Sequence, residues 1–221
     1  EHVAELNARL GDAPAEAILR HALSAPGLGR VALVSSFGAE SVALLHLVAQ
    51  VDRATPVLVL DTGKLFAETR AYRAEVARAL GLHDVRVLAP DRHALAAHDP
   101  DGTLHRTEPD ACCTLRKTAP LDRALAGFDA WITGRKQAHG GARSALAVFE
   151  AEPGTGRIKV NPLARWTPAD IRALVAAEGL PRHPLTDRGY PSIGCAPCTT
   201  PVAPGDDPRA GRWPGREKTE C

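Results

Sequence analysis

Five cysteines dominate the chemistry open to this chain of 221 residues. Cys112 and Cys113 are adjacent, Cys195-Ala-Pro-Cys198 forms a second pair, and Cys221 is the last residue. An odd count in a chain of this size makes a poor disulfide framework. The layout reads as four metal ligands plus one reactive thiol in a reducing compartment, and so as a cytoplasmic protein. Cys-x-x-Cys is a familiar metal clamp. Adjacent cysteines point in different directions and rarely serve one tetrahedral zinc ion, whereas a cuboidal iron–sulfur cluster offers several corners. Spacing alone puts iron–sulfur only modestly ahead of a four-cysteine zinc site, with a redox dithiol or plain buried cysteines as the other readings.

Cations accompany the thiols. Lys117 lies one helical turn beyond Cys113, where an ammonium would offset the charge of four thiolates. By itself it reads as an ordinary surface lysine. Arg212, Arg216 and Lys218 precede Cys221. Nearby cations raise a thiol's thiolate fraction and also grip phosphate or sulfate. A terminal carboxylate on Cys221 itself would oppose that activation, so the native chain is expected to continue past this residue.

The third group consists of loops. Ser35, Ser36, Phe37 and Gly38 open the run to Ser41, between an apolar stretch and a helical pattern. Hydroxyls and a glycine at a helix N-terminus can aim backbone N–H groups at an anion, although an ordinary helix cap has the same composition. The run matches neither the Walker loop nor the dinucleotide fingerprint. Asp61, Thr62 and Gly63 close the next apolar stretch, which is also the composition of a plain turn. Arg135 and Lys136 follow a later one.

Positioning these residues requires strands that end together. Apolar runs at Val31–Ser35, Pro56–Asp61, Val85–Leu88 and Ala130–Thr133 alternate with helical patterns at 39–50, 66–80 and 114–126. This βαβα rhythm predicts an α/β fold with an open, mostly parallel sheet and helices on both faces, and ligands beyond the carboxyl ends of the strands. A hairpin is expected from Ala151 to Val160 around Pro153-Gly-Thr-Gly156. Thr167-Pro168 starts a helix that ends at Gly179. Residues 1–198 read as one α/β domain. Residues 199–221, rich in Pro, Gly, Arg and Asp near their start, read as a mobile C-terminal tail.

Apolar residues make up 44% of the chain, enough for a sizeable core, and the net charge of +1 argues against a general nucleic-acid binder. No stretch approaches the ~20 apolar residues that span a bilayer. No signal peptide is visible, and with no Met in the chain the true start is expected upstream of Glu1.

Taken together, Ser35-Ser-Phe-Gly-Ala-Glu40, Leu60-Asp-Thr-Gly63 with Phe66-Ala-Glu-Thr69, Cys112-Cys113, Gly134-Arg-Lys-Gln137, Asn161-Pro-Leu163, Cys195-Ala-Pro-Cys198 and Gly211-Arg-Trp through Glu217-Lys-Thr-Glu-Cys221 resemble the bacterial-type adenylyl-sulfate reductases of the phosphoadenylyl-sulfate reductase family. The likeness runs from about Val31 to the end. It implies an adenine nucleotide α-hydrolase-like fold and a [4Fe-4S] cluster on Cys112, Cys113, Cys195 and Cys198. Cys221 is implied as nucleophile, with Lys117 between cluster and substrate.

The implied activity is reduction of adenylyl sulfate to sulfite and AMP through an S-sulfocysteine intermediate, in sulfate assimilation toward cysteine. Thioredoxin or a similar dithiol protein is the implied partner, and a homo-oligomer is expected. The expected substrate contacts are Ser35, Ser36, Phe37, Gly38, Asp61, Thr62, Gly63, Arg135, Lys136, Arg143, Arg212 and Arg216. Two departures stand out. The loop after the fourth strand usually carries paired arginines, and Lys136 cannot reproduce arginine's planar two-point grip, so that phosphate contact is expected to be weaker or to be supplied by Arg143. The Gly-Leu-His that usually follows the catalytic cysteine is missing. The competing readings are a reductase of the 3′-phosphorylated nucleotide or of both nucleotides, an ATP-using sulfur-inserting RNA enzyme, whose Ser-Gly-Gly-x-Asp-Ser loop this chain lacks, and a zinc-stabilised binding module.

Overall fold

The computed structural model describes residues 1–24, 26–140 and 143–216. Six strands form one sheet: β1 Val31–Val34, β2 Val57–Leu60, β3 Val85–Leu88, β4 Ala130–Ile132, β5 Phe149–Ala151 and β6 Ile158–Val160. Their order is β3-β2-β1-β4-β6-β5. Every pairing is parallel except β5 with β6. The expected fold class and strands hold, with the hairpin set two residues earlier than its sequence reading at its first strand. Among the described residues no helix is long and apolar enough to cross a membrane.

Alternation along the strands divides the core. Leu33, Val57, Val59 and Ile132 face the larger apolar cluster, whereas Ala32, Leu58 and Trp131 face a smaller one with Leu121 and Leu125. That is the period-two consequence of the pleat. Helices α1 His2–Leu10, α2 Ala15–Ser24, α3 Ser41–Val51, α4 Ala67–Leu80 and α9 Pro168–Ala177 contribute to the larger cluster. α8 Ala119–Leu125 covers the other face. Gly81 ends α4 in the left-handed region at φ 61°, as a glycine does at this position. Thr167 and Asp170 cap α9 reciprocally.

Two features depart from the sequence reading. α1 and α2 bury Leu6, Ile18, Leu19 and Ala22, although no helix was expected before Val31. The helix expected from 114 to 126 is divided. A π-turn, Thr114–Thr118, links α7 Pro109–Cys113 to α8, and the Ala119 N–H reaches back to the Thr114 carbonyl. Pro120 has no N–H for the Arg116 carbonyl, so the regular ladder cannot run through this turn. Short helices α5 Arg92–His98 and α6 Leu104–Thr107 precede α7.

Candidate functional site

β1 is the centre of the sheet, flanked by β2 on one side and β4 on the other. Successive connections leave in opposite directions there, which opens a crevice at the carboxyl ends of β1 and β4. The loop after β1 enters it. Phe37 is fully buried with a left-handed φ of 48°, a strained conformation for a bulky side chain. Its N–H donates to Ser35 Oγ at 3.2 Å, and the Gly38 N–H donates to Ser41 Oγ at 2.9 Å and Ser36 Oγ at 3.3 Å. The loop's own hydroxyls thus occupy the donors that a phosphate would take.

Across the crevice, Glu40 binds the loop after β4. Its carboxylate lies 2.8 Å from Lys136 Nζ and 3.5 Å from His139 Nε2. Burial alone would raise the Glu40 pKa, but the His139 hydrogen bond and the Lys136 charge outweigh it and lower the pKa to about 2. Arg143 Nη1 lies 2.9 Å from His139 Nδ1; guanidinium can only donate, so Nδ1 accepts and the ring's proton sits on Nε2, facing Glu40. Arg135 is ion-paired with Glu150. Lys136 and Arg135 therefore both have carboxylate partners, which the sequence reading did not assign.

The second loop turns elsewhere. Asp61 accepts both arms of Arg70 at 3.0 Å, a hydrogen-bonded pair that lowers the Asp61 pKa. Thr62 is buried, with Oγ1 3.2 Å from Cys195 Sγ. Gly63 has a φ of 74° and lies beside the Arg116 guanidinium. Thr62 and Gly63 join the strand edge to the cysteine site, through Cys195 and Arg116.

That site is assembled from α7, which carries Cys112 and Cys113, and from a 3₁₀ turn, Ala196–Cys198, preceded by Cys195. Cys195 pairs as an isolated bridge with Leu65, and the Ala196 N–H donates to the Lys64 carbonyl at 2.8 Å. All four cysteines line one pocket with Lys64, Arg116 and Lys117. Cys112, Cys113 and Cys195 are buried and Cys198 is half-buried. Burial raises the Cys112 thiol pKa, against the opposing charge of Arg116. Among the described residues no three His, Cys, Asp or Glu side chains come close enough together to hold a single metal ion.

Arg116 was not singled out from sequence. It is buried, donates to Asp99 Oδ2 at 2.6 Å and gives its other arm to the Thr62 carbonyl at 2.8 Å. Only the fold reveals this, since Asp99 sits at the end of α5.

The chain beyond Cys198 folds back on it. The Thr200 N–H donates to the Gly211 carbonyl at 2.8 Å, and the Trp213 N–H to the Cys198 carbonyl at 3.0 Å. The Arg212 guanidinium stands 4.7 Å from the Trp213 ring centroid and donates to Ser192 Oγ at 3.3 Å. Arg209, a further cation missed in sequence, faces the same ring at 6.0 Å. A Cβ on Gly194 would stand 2.3 Å from Arg212, and one on Gly38 would stand 3.5 Å from the Ile193 carbonyl. The segment Ile193–Cys195 thereby links the crevice loop, Arg212 and the cysteines. Arg216 donates to the Arg106 carbonyl at 2.7 Å, beside a cavity of ≈ 360 Å³ that Cys198 and Trp213 also line. Cys221 and the Glu217-Lys-Thr-Glu run before it lie outside the described residues.

Known proteins share this architecture. The chain is 50% identical over 98% of its length to an adenosine 5′-phosphosulfate reductase of Chelativorans sp., 88% of which is covered. It is 40% identical over 95% of its length to a phosphoadenosine 5′-phosphosulfate reductase of Gloeobacter violaceus, again covering 88% of that protein. Among solved structures, a phosphoadenylyl-sulfate reductase from Candida auris in complex with phosphate superposes with a TM-score of 0.78 at 27% identity, covering 90% of this chain and 97% of the other. The family description "phosphoadenosine phosphosulfate reductase domain" fits residues 30–201, a span that holds both the crevice and all four clustered cysteines, and the chain belongs to that family.

Proposed function

We propose that the chain reduces adenylyl sulfate to sulfite and AMP, with Cys221 as nucleophile and a dithiol protein of the thioredoxin kind as reductant. The observation that carries the reading is the convergence of Cys112, Cys113, Cys195 and Cys198 with Lys117 on one pocket next to the crevice. Relatives named for this reaction, at 50% identity, support it.

The donor set suits a [4Fe-4S] cluster. Four thiols from two segments line one pocket, and the adjacent pair Cys112 and Cys113 suits a group with several metal corners better than mononuclear zinc. Cys112, Cys113, Cys195 and Cys198 would hold such a cluster, which would supply local charge and a rigid anchor; the thiol steps already balance the reduction without it.

The chain's own residues carry the chemistry. The loop from Ser35 to Gly38 takes the α-phosphate when its hydroxyls release the Phe37 and Gly38 N–H groups. Cys221 thiolate attacks the substrate sulfur, the sulfur–oxygen bond to the phosphate breaks, and AMP leaves with the bonding pair. A reductant thiolate then attacks Cys221 Sγ, sulfite departs, and the second thiol of the reductant resolves the mixed disulfide. An anion attacking an anion needs cations around it. Lys117, Arg135, Arg212 and Arg216 are assigned that role, with Lys136 and Arg143 holding the crevice wall. Residues 1–198 carry the nucleotide and cysteine sites, and residues 199–221 deliver the thiol together with Arg212 and Arg216.

The test is sulfite release from adenylyl sulfate and thioredoxin by anaerobically purified protein, with iron and sulfide measured alongside. Cys221→Ser is expected to abolish release while retaining AMP binding, and a serine variant that still makes sulfite rejects the assignment. Lys117→Ala is expected to keep the absorbance near 400 nm and slow turnover. The 40% identical relative named for the phosphorylated nucleotide favours a second substrate, and kcat/KM measured on both nucleotides decides between them.

A further inference from the structure

The Asn161-Pro-Leu163 motif has no part in the reaction as written, yet Asn161 is fully buried at the carboxyl end of β6. Its side chain closes a ring of hydrogen bonds. Thr133 Oγ1 donates to Asn161 Oδ1 at 3.2 Å, and the Arg135 backbone N–H donates to Thr133 Oγ1 at 3.2 Å. On the other side, Asn161 Nδ2 donates to Glu150 Oε2 at 2.8 Å, the same oxygen that receives the Arg135 guanidinium. The second Nδ2 proton goes to the Ala147 carbonyl at 2.8 Å. One carboxamide therefore governs both the backbone and the guanidinium of Arg135. The main chain adds a third tie: the Asn161 carbonyl accepts from Ala164 N–H at 3.0 Å, and the Ala164 carbonyl accepts from Gln137 N–H at 2.7 Å.

We propose that Asn161 is a positioning residue for the nucleotide site, fixing the loop from Thr133 to Gln137 at the lip of the β1–β4 crevice so that Arg135 stands where an anionic substrate enters and Lys136 holds the wall through Glu40. The proposal rests on the reading of that crevice as the nucleotide site. Asparagine is required because the position must donate twice and accept once within a buried space. Aspartate keeps the shape and loses both donors. It leaves the Ala147 carbonyl unsatisfied and sets a second carboxylate against Glu150. That charge draws the Arg135 guanidinium inward. Small misplacements of binding groups carry large losses in substrate positioning.

The experiment compares AMP binding by calorimetry and steady-state kinetics for the intact protein, Asn161→Asp and Glu150→Gln. Asn161→Asp is expected to weaken AMP binding and raise KM by about ten-fold, with kcat changed far less and the 400 nm absorbance retained. Glu150→Gln removes the negative charge facing the Arg135 guanidinium while its amide oxygen can still accept from Asn161, and is expected to weaken AMP binding by a smaller factor, about three-fold. AMP affinity within two-fold of the parent in a folded Asn161→Asp protein overturns the proposal. Should that variant not fold, an unchanged affinity in Glu150→Gln overturns it instead. A parent protein that binds no AMP defeats the underlying reading of the crevice, an outcome distinct from either.

Discussion

Glu40, at the end of the β1 loop, and Lys136, in the β4 loop, meet at 2.8 Å across the crevice between two neighbouring parallel strands. The Lys136 side chain is 4% exposed, so the pair ties together the two loops that form the crevice. Lysine at this place serves a carboxylate within the protein.

Stability in acid should report this pair. The Glu40 pKa is lowered from 4.5 to about 2, so its contribution is fully present above pH 4.5 and is lost as pH falls toward 2. Glu40→Gln is expected to flatten the decline of urea-derived stability across that window relative to the parent. Equal slopes would remove Glu40 from the acid response.

The pair of Arg116 and Asp99 is more deeply buried, with side chains 9% and 2% exposed. Removing one partner leaves the other charge in a dry site, which costs about 3–5 kcal/mol. Asp99→Ala should therefore destabilise the protein severely in guanidinium titrations, well beyond the loss for the exposed Arg188→Ala, whose partner is Glu68. Similar losses for the two would argue against a buried role.

Gly194 packs against the Arg212 guanidinium so closely that a Cβ would stand 2.3 Å from it. The obstructing atoms are the end of a flexible side chain, so Gly194→Ala should fold. Arg212 must leave the Trp213 ring, and a loss of about ten-fold in kcat/KM is expected, the scale of one misplaced binding group. Altered tryptophan emission should accompany it. A variant with parental kinetics would detach Arg212 from catalysis.

His183 gives a second pH signature. It is fully buried; Nδ1 accepts from the Leu185 N–H at 3.2 Å, so Nε2 carries the proton and faces Thr69 Oγ1 at 3.0 Å. Burial lowers its pKa from 6.5 to about 4. The neutral ring is the folded form, so stability is complete above pH 6.5 and declines as pH falls toward 4. Denaturation at pH 7 and pH 5 should show a smaller difference for His183→Gln than for the parent.

Sequence periodicity was sufficient where a segment's structure is local. β3 falls where its apolar run indicated, and α9 begins at the Thr167 cap. Partner choice was not legible. Asp61 reads as a strand-end ligand until Arg70, one helix turn into α4, takes both its oxygens. Thr62 reads as polar lining until the chain returns with Cys195. Arg135 and Lys136 read as open cations because Glu150 and Glu40 reach them only once the sheet has formed. The cysteines were legible because their rarity and adjacency need no tertiary information.

The four clustered thiols come from two distant stretches, one on α7 and one after β6 and α9. No ribosome-bound chain can present them together until Cys198 has emerged and the segment from Ile193 has docked beside Thr62. The pocket they line is thereby among the last parts of the molecule to be completed, after every strand of the sheet has been made.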